Sequence, residues 1–429
     1  MELKKTFYVS APVDTYSGYG ARSRDFVKAL IESNKYEVRI LSQRWGETRR
    51  GFLSDNKEWN FLQRYLIPNL QAKPDIWCQV TVPNEFQAVG NYNIGLTAGI
   101  ETTACAPQWI EGCNRMDLIL VSSEHSKKVF ENTTYETNDP RMGKGKLKLT
   151  KPIKVLFEGA DLDIYKPVKE FTNKKLYNYI NDIPENFAYL FVGHWLQGEL
   201  GHDRKNVGLL IKAFYEVFKN KGNAPALILK TSCGKGSKMD KTEVLKRINI
   251  IRGSIPSNKL PNVYLLHGDF TNSEINELYN HPKIKANVSA TKGEGFGRPL
   301  LEFALTGKPT IATGWSGHTD FLDPKLTPIM GGKVNDIHPS AQQKDMLIEG
   351  SKWFDVDHGH LGFFLEDVKK NYKKHLPKSK TLGKRLKKKF SYEAMKELII
   401  KILDENVSAP TQMELKMPKI APKSLPKIQ

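Results

Sequence analysis

Apolar residues along the chain fall into two alternating kinds of stretch. Short apolar runs recur at 6–10, 36–41, 76–82, 92–96, 118–122 and 154–157, and again at 189–192, 226–231, 263–266, 284–289 and 310–313. Runs of this length, bounded by glycine and polar clusters, predict strands buried on both faces. Between them lie segments whose apolar residues recur every three or four positions, clearest at 23–32 and 207–218, which predict helices with one buried face. Strand and helix alternating in this way predict an α/β architecture with parallel sheets. A further amphipathic helix, opened by Ser391, is predicted to about residue 403.

The most informative unit spans 284–320. Its strand runs into Gly293, Gly295 and Gly297, then into a helix with Pro299 in its first turn, stopped by Gly307 and Pro309 before the strand 310–313. A glycine loop opening a helix gathers unpaired backbone N–H groups, so an anion such as a diphosphate is its natural ligand. Glu294 and Glu302 lie eight positions apart, one in the loop and one about a turn into the helix, so both face one ligand at the helix mouth. Carboxylates repel phosphate and suit hydroxyls, and a nucleotide sugar carries hydroxyls on both sides of its diphosphate.

Length and charge narrow the picture. A chain of 429 residues exceeds one hydrophobic core and predicts two domains of comparable size. A net charge of +18 favours an anionic partner without choosing among membrane surface, nucleic acid and phosphorylated substrate. Two runs concentrate the charge: 140–154, with six basic residues and no acidic one, reads as a solvated loop or an anion-binding acceptor loop, and 369–389 holds 11 lysines and arginines with no acid. The four cysteines, Cys78, Cys105, Cys113 and Cys233, form no Cys-x-x-Cys pair, which fits reduced thiols and a cytoplasmic protein. No apolar run reaches membrane-spanning length, so any membrane association is expected to be peripheral. Residues 405–429, with four prolines among lysines, are expected to be a disordered tail.

The phrase Glu294-Gly295-Phe296-Gly297-Arg298-Pro299-Leu300-Leu301-Glu302, followed by Gly307-Lys308-Pro309-Thr310-Ile311-Ala312, resembles the signature of the retaining GT-B glycosyltransferases of family four. The resemblance covers roughly residues 6–404 and is sharpest between Gly193 and Asp320. It implies two Rossmann-like domains facing across a cleft: 1–160 on the acceptor side, 161–390 binding the nucleotide sugar, and 391–404 crossing back to the first domain. It also implies that Glu302 binds the ribose, that Glu294 contacts the transferred sugar, and that the backbone of Phe296 and Gly297 lies against sugar and phosphate. Lys205, at the start of the helix 207–218, matches the lysine that neutralises the donor diphosphate. His194 stands where relatives have an arginine, a departure for which Arg204 or Arg298 is the candidate substitute. Gly18 and Gly20 match the N-terminal glycine loop, although Gly-x-Gly alone is commonly just a turn. Glu101 falls where many relatives carry a catalytic-cleft residue, often histidine, and reads equally as a surface glutamate. Asp161-Leu162-Asp163 and Asp355-Val356-Asp357 read as turns, so no catalytic metal and no cofactor is expected beyond the nucleotide sugar itself.

The expected activity is transfer of a sugar from a nucleotide sugar to an acceptor hydroxyl with retention. The acceptor expected first is a glycolipid or polysaccharide precursor at an anionic membrane. Alternatives are a hydroxylated base in DNA, where basic runs would serve phosphate contacts, and a non-catalytic GT-B-like binding protein.

Overall fold

The structure is a computed structural model that describes residues 4–46, 48–139, 143–234 and 237–407. The first sheet is built from β1 (Lys5–Ala11), β2 (Tyr36–Ser42), β3 (Ile76–Val80), β4 (Tyr92–Leu96) and β5 (Leu118–Val121). A hairpin of β6 (Thr134–Asp139) and β7 (Gly143–Lys148) follows, and then the last strand of that sheet, β8 (Ile153–Val155). The order is β2-β1-β3-β4-β5-β8, parallel throughout. The second sheet comprises β9 (Ala188–Val192), β10 (Ala226–Lys230), β11 (Val263–Leu266), β12 (Ile284–Ser289), β13 (Thr310–Thr313) and β14 (Ile329–Met330). It is likewise parallel, in the order β11-β10-β9-β12-β13-β14. The short apolar runs thus become strands, with those at 36–41, 154–157 and 263–266 at sheet edges. Every residue of β5 and of β13 is buried, as parallel strands covered on both faces require.

Helices cover the sheets where the spacing predicts. Helix Val207–Phe218 buries Val207, Leu210, Ile211, Phe214 and Phe218 against the second sheet, and Asp203 Oδ2 accepts from Val207 N at its start (3.0 Å). Helix Tyr392–Asn406 buries Met395, Ile399, Ile402 and Leu403 in the core of the first sheet, beside Phe7, Val9, Phe26 and Leu30. It is tied there by backbone bonds from Ala160 N to Phe390 O (2.9 Å) and from Tyr392 N to Ala160 O (2.8 Å).

The basic runs are ordered elements. Instead of a loop, the run 140–154 supplies β7, antiparallel to β6, with residues 140–142 outside the described residues. The hairpin is anchored by one side chain from each strand, Tyr135 and Leu147. Tyr135 Oη donates to Cys105 O (2.5 Å) and Leu147 packs on the cluster containing Trp109, while Lys144, Lys146 and Lys148 remain exposed. Run 369–389 falls mainly in helix Tyr372–Lys389, which buries Leu382 and Leu386 and turns its lysines outward. Most of the expected tail, 408–429, lies outside the described residues.

A segment not anticipated from the pattern leaves the second sheet as β15 (Gly332–Asp336) and returns as β16 (Lys352–Val356), antiparallel. Between these strands the chain reaches the first domain. Thr103 N donates to Lys352 O and Lys352 N to Thr103 Oγ1, both 2.9 Å, and Ile348 packs on the Trp109 cluster.

Candidate functional site

The loop after β12 meets the loop after β4 at the carboxyl edges of the two sheets, where parallel α/β sheets bind ligands. The contact depends on missing side chains. A Cβ on Gly293 would stand 2.0 Å from Glu101 O, and one on Gly295 would stand 2.4 Å from Ala98 O. Gly297 adopts φ +97°, in the left-handed region, and from there the chain enters helix Arg298–Ala304.

This turn fixes Glu294. Its N–H donates to Ser316 Oγ (2.9 Å) and its carbonyl accepts from Gly317 N (2.9 Å), so the β13 loop holds it from both sides. The carboxylate pairs with Lys205 Nζ at 2.5 Å and lies 3.6 Å from Arg204 Nη1. Arg204 is also 3.6 Å from Glu101 Oε1 and donates to Gly293 O (2.9 Å). Four predicted residues, Glu101, Arg204, Lys205 and Glu294, therefore converge from both domains. Burial alone would raise the Glu294 carboxyl, but Lys205 and Arg204 overcome it and hold the group at about 2. The same burial lowers the Lys205 ammonium from its ordinary value, against the pull of Glu294. His318 lies behind the turn, its Nε2 on Thr313 O (2.6 Å) and its buried Nδ1 without a partner among the described residues.

A second cluster forms one helical turn on. Arg298 Nε donates to Glu302 Oε1 (2.9 Å) while Nη1 donates to Asp25 Oδ2 (2.6 Å) on helix Gly18–Ser33 of the first domain. Tyr279 Oη reaches Glu302 Oε2 at 3.4 Å. Burial raises the Glu302 carboxyl and Arg298 opposes that rise. Arg298 therefore sits beside Glu302 as an interdomain link. The aromatic ring of Phe296 points into the core against Phe321 (5.0 Å between centroids), leaving its backbone in the turn.

Other sequence-predicted residues lie differently. The expected loop at Gly18 and Gly20 is the first turn of a helix, because Ser17 caps it by accepting from Gly20 N (2.9 Å). Gly20 is thus a buried helical glycine, where a Cβ would meet Thr15 O at 2.4 Å, and its N–H is already taken. Gly18 is exposed with open space around it. His194 is also exposed, and it bonds Ser232 Oγ through Nδ1 (3.0 Å), with Lys205 and Arg204 of the cluster close enough for their charges to act on its ring. Asp161 Oδ1 accepts from Asp163 N (2.9 Å) in a turn and Oδ2 pairs with Lys28 (3.4 Å). Asp357 caps a helix through His360 N (2.9 Å) and Asp355 pairs with Lys292. Among the described residues, no group of three His, Cys, Asp or Glu side chains is placed to hold a metal ion.

Solved structures share this backbone course. HepE of Anabaena, in complex with UDP and glucose, matches 94% of this chain and 100% of its own at 13% identity, TM-score 0.57. A glycosyltransferase of Rickettsia africae matches 94% and 99% at 14% identity, TM-score 0.59, and sucrose-phosphate synthase of Thermosynechococcus elongatus matches 94% and 99% at 11%, TM-score 0.59. The fold is GT-B. No protein-family model matches the chain, and no curated protein sequence does.

In this GT-B frame sequence reasoning missed Tyr19, which holds the loop after β4 from within the first domain, and Asp25, which joins the domains. Tyr19 stacks on Trp45 (3.8 Å between centroids), and its hydroxyl bonds Thr97 Oγ1 (2.8 Å) and accepts from Ala98 N (3.1 Å). An aromatic residue between two glycines was the available signal for it. Asp25 gave none, being one acid among several on an amphipathic helix.

Proposed function

We propose that the protein is a retaining, metal-independent glycosyltransferase of the family-four type, moving a sugar from a nucleotide sugar to an acceptor hydroxyl. The observation that carries this reading is the convergence of Lys205, Arg204 and Glu294 on the glycine turn of the second domain, closed by Glu101 from the first. As the bond from the sugar to the diphosphate breaks, negative charge grows on the leaving group and positive charge on the sugar. Lys205 and Arg204 are the cations available to the first, and the ionised Glu294 orients the second. The acceptor oxygen bonds to the anomeric carbon on the face the diphosphate leaves, and the acceptor proton passes to a departing phosphate oxygen. Glu302, held by Arg298, receives ribose hydroxyls. A bound donor exchanges the Lys205–Glu294 pair for its own phosphate and hydroxyl contacts.

HepE holds UDP and UDP-glucose in its structures, which makes a uridine nucleotide the first donor to test. The outward lysines of helix Tyr372–Lys389 and of β7 support an acceptor carried on a polyanion, a glycolipid or polysaccharide precursor at an anionic membrane first and modified DNA second. Among the described residues, no helix is long and apolar enough to cross a membrane, so peripheral attachment is the form such an encounter takes. The test is incubation with UDP-, GDP- and ADP-sugars in EDTA, following donor cleavage. Tight binding of one nucleoside diphosphate with slow donor hydrolysis supports the reading, and failure of every nucleotide to bind overturns it.

A further inference from the structure

At the mouth of the four-residue cluster lies a cavity of about 110 Å³ whose walls come from both domains. Tyr19, Ile100 and Trp109 form the first-domain side, and Leu196, Met346 and Leu347 the other. Leu347 and Met346 belong to the segment between β15 and β16, which crosses to the first domain at Thr103 and Ile348. Inside it the chain folds into a tight turn, with Gln343 N donating to Leu347 O (3.0 Å) and Leu347 N to Gln343 O (2.9 Å). The second-domain loop is tied to the same segment by Gln197 Nε2, donating to Gln342 O (3.0 Å). The cavity is therefore complete only while this segment lies across the cleft.

Its chemistry is specific. The lining is mostly apolar, and its two charged side chains, Glu101 and Arg204, face each other at 3.6 Å, so the cavity presents no net charge to an occupant. Leu196 and Met346 expose apolar surface at it, which only an occupant would cover. Trp109 is 4% exposed, and its indole Nε1 is a buried donor with no partner among the described residues. An unmade hydrogen bond of this kind costs stability until a partner is supplied, and Trp109 is one of the residues lining the cavity. A space of this order accommodates about one six-membered ring. The lysines of β7 stand outside, on the hairpin whose Tyr135 and Leu147 rest on the cavity's own wall.

We infer that this cavity receives the reacting end of the acceptor, and that this end is an uncharged single-ring group bearing the hydroxyl, selected by the turn at 343–347. The inference rests on the transferase reading and adds the acceptor's chemical class to it. Any anionic carrier is joined to the ring through a spacer that leaves its charge outside, along β7, so a phosphate borne directly on the sugar is not admitted. The hydroxyl or ring oxygen accepts from Trp109 Nε1, and Glu101 lies beside the cluster where the new bond forms.

The experiment is saturation-transfer NMR on the full protein with two neutral rings, methyl α-glucoside and benzyl alcohol, against glucose 6-phosphate as the charged counterpart. UDP affinity is measured in parallel. The expected result is saturation transfer to at least one neutral ring and none to glucose 6-phosphate. That transfer should weaken roughly tenfold in Leu347→Trp, which fills the cavity, and roughly threefold in Trp109→Phe, which keeps a ring but removes the donor. UDP affinity should be unchanged in both. Absence of transfer from the wild type to either neutral ring overturns the inference. So does equal binding of glucose 6-phosphate, or transfer that is the same in both variants as in the wild type. Absence of UDP binding overturns the transferase reading instead and leaves the cavity measurement to be judged on its own.

Discussion

Replacing Lys205 by methionine removes the closest counter-charge of a carboxylate that is only 6% exposed. At 2.5 Å and an effective dielectric of about 20 the Lys205–Glu294 attraction is roughly 7 kcal/mol, and Arg204 at 3.6 Å contributes roughly 5. Most of that gain offsets the desolvation of both ions, so the expected loss is the one typical of breaking a buried pair, about 3–5 kcal/mol. The pH dependence tests the cause. Glu294 is depressed in the folded protein from 4.5 to about 2, so its contribution is complete above about pH 4.5 and is lost as pH falls toward 2. Lys205→Met should therefore be most damaging near neutrality, and the difference from wild type should narrow as pH falls from about 5 to 3, where the orphaned carboxyl takes up a proton. Urea unfolding of wild type, Lys205→Met, Glu294→Gln and the double variant, at pH 7 and pH 4, measures it. The double variant should recover much of the loss at pH 7. A double variant as unstable as Lys205→Met, or a pH-independent cost, refutes the ion-pair account and leaves only lost packing.

Three further outcomes are expected. Glu302→Ala should weaken nucleoside diphosphate binding by about 1.5–3 kcal/mol in calorimetry, since charge-assisted hydrogen bonds to ribose are lost, and unchanged affinity in a folded variant excludes the ribose role. Gly293→Ala forces a Cβ to within 2.0 Å of Glu101 O, so turnover should fall while nucleotide affinity persists, and full turnover would show that the interdomain contact is dispensable. Neutralising Lys144, Lys146 and Lys148 together should raise the KM for an anionic acceptor, leave the donor KM alone and flatten the salt dependence of the rate, and wild-type salt dependence would identify β7 as merely solvated.

The architecture was readable because parallel strands buried on both faces leave continuous apolar runs, and those at 92–96, 284–289 and 310–313 match the observed strands residue for residue. The local part of the site was readable for a related reason. Gly293, Gly295, Gly297 and Pro299 act on their own neighbours, so their spacing carries their meaning. Contacts between distant segments leave no such trace. That Arg298 spans from Glu302 to Asp25, 273 positions away, depends on how two domains meet, and no periodicity encodes it. The helix start at Gly18 was missed for a smaller reason: two glycines lowered the apparent helix propensity, and the Ser17 cap outweighed them. Strand β7 was missed because its lysines point to solvent and only Leu147 reaches the interior.

Helix Tyr392–Asn406 has a consequence for the order in which the protein is made. It supplies Tyr392, Met395, Ile399, Ile402 and Leu403 to a core whose other members lie mostly between Phe7 and Leu156. During synthesis the ribosome thus releases nearly all of the first sheet long before the helix that closes it. The second sheet, with its helices between Lys174 and Lys389, emerges whole in the meantime. The half of the molecule that is translated first is the half that completes its folding last, and until then it carries an uncovered apolar face of the kind that chaperones bind.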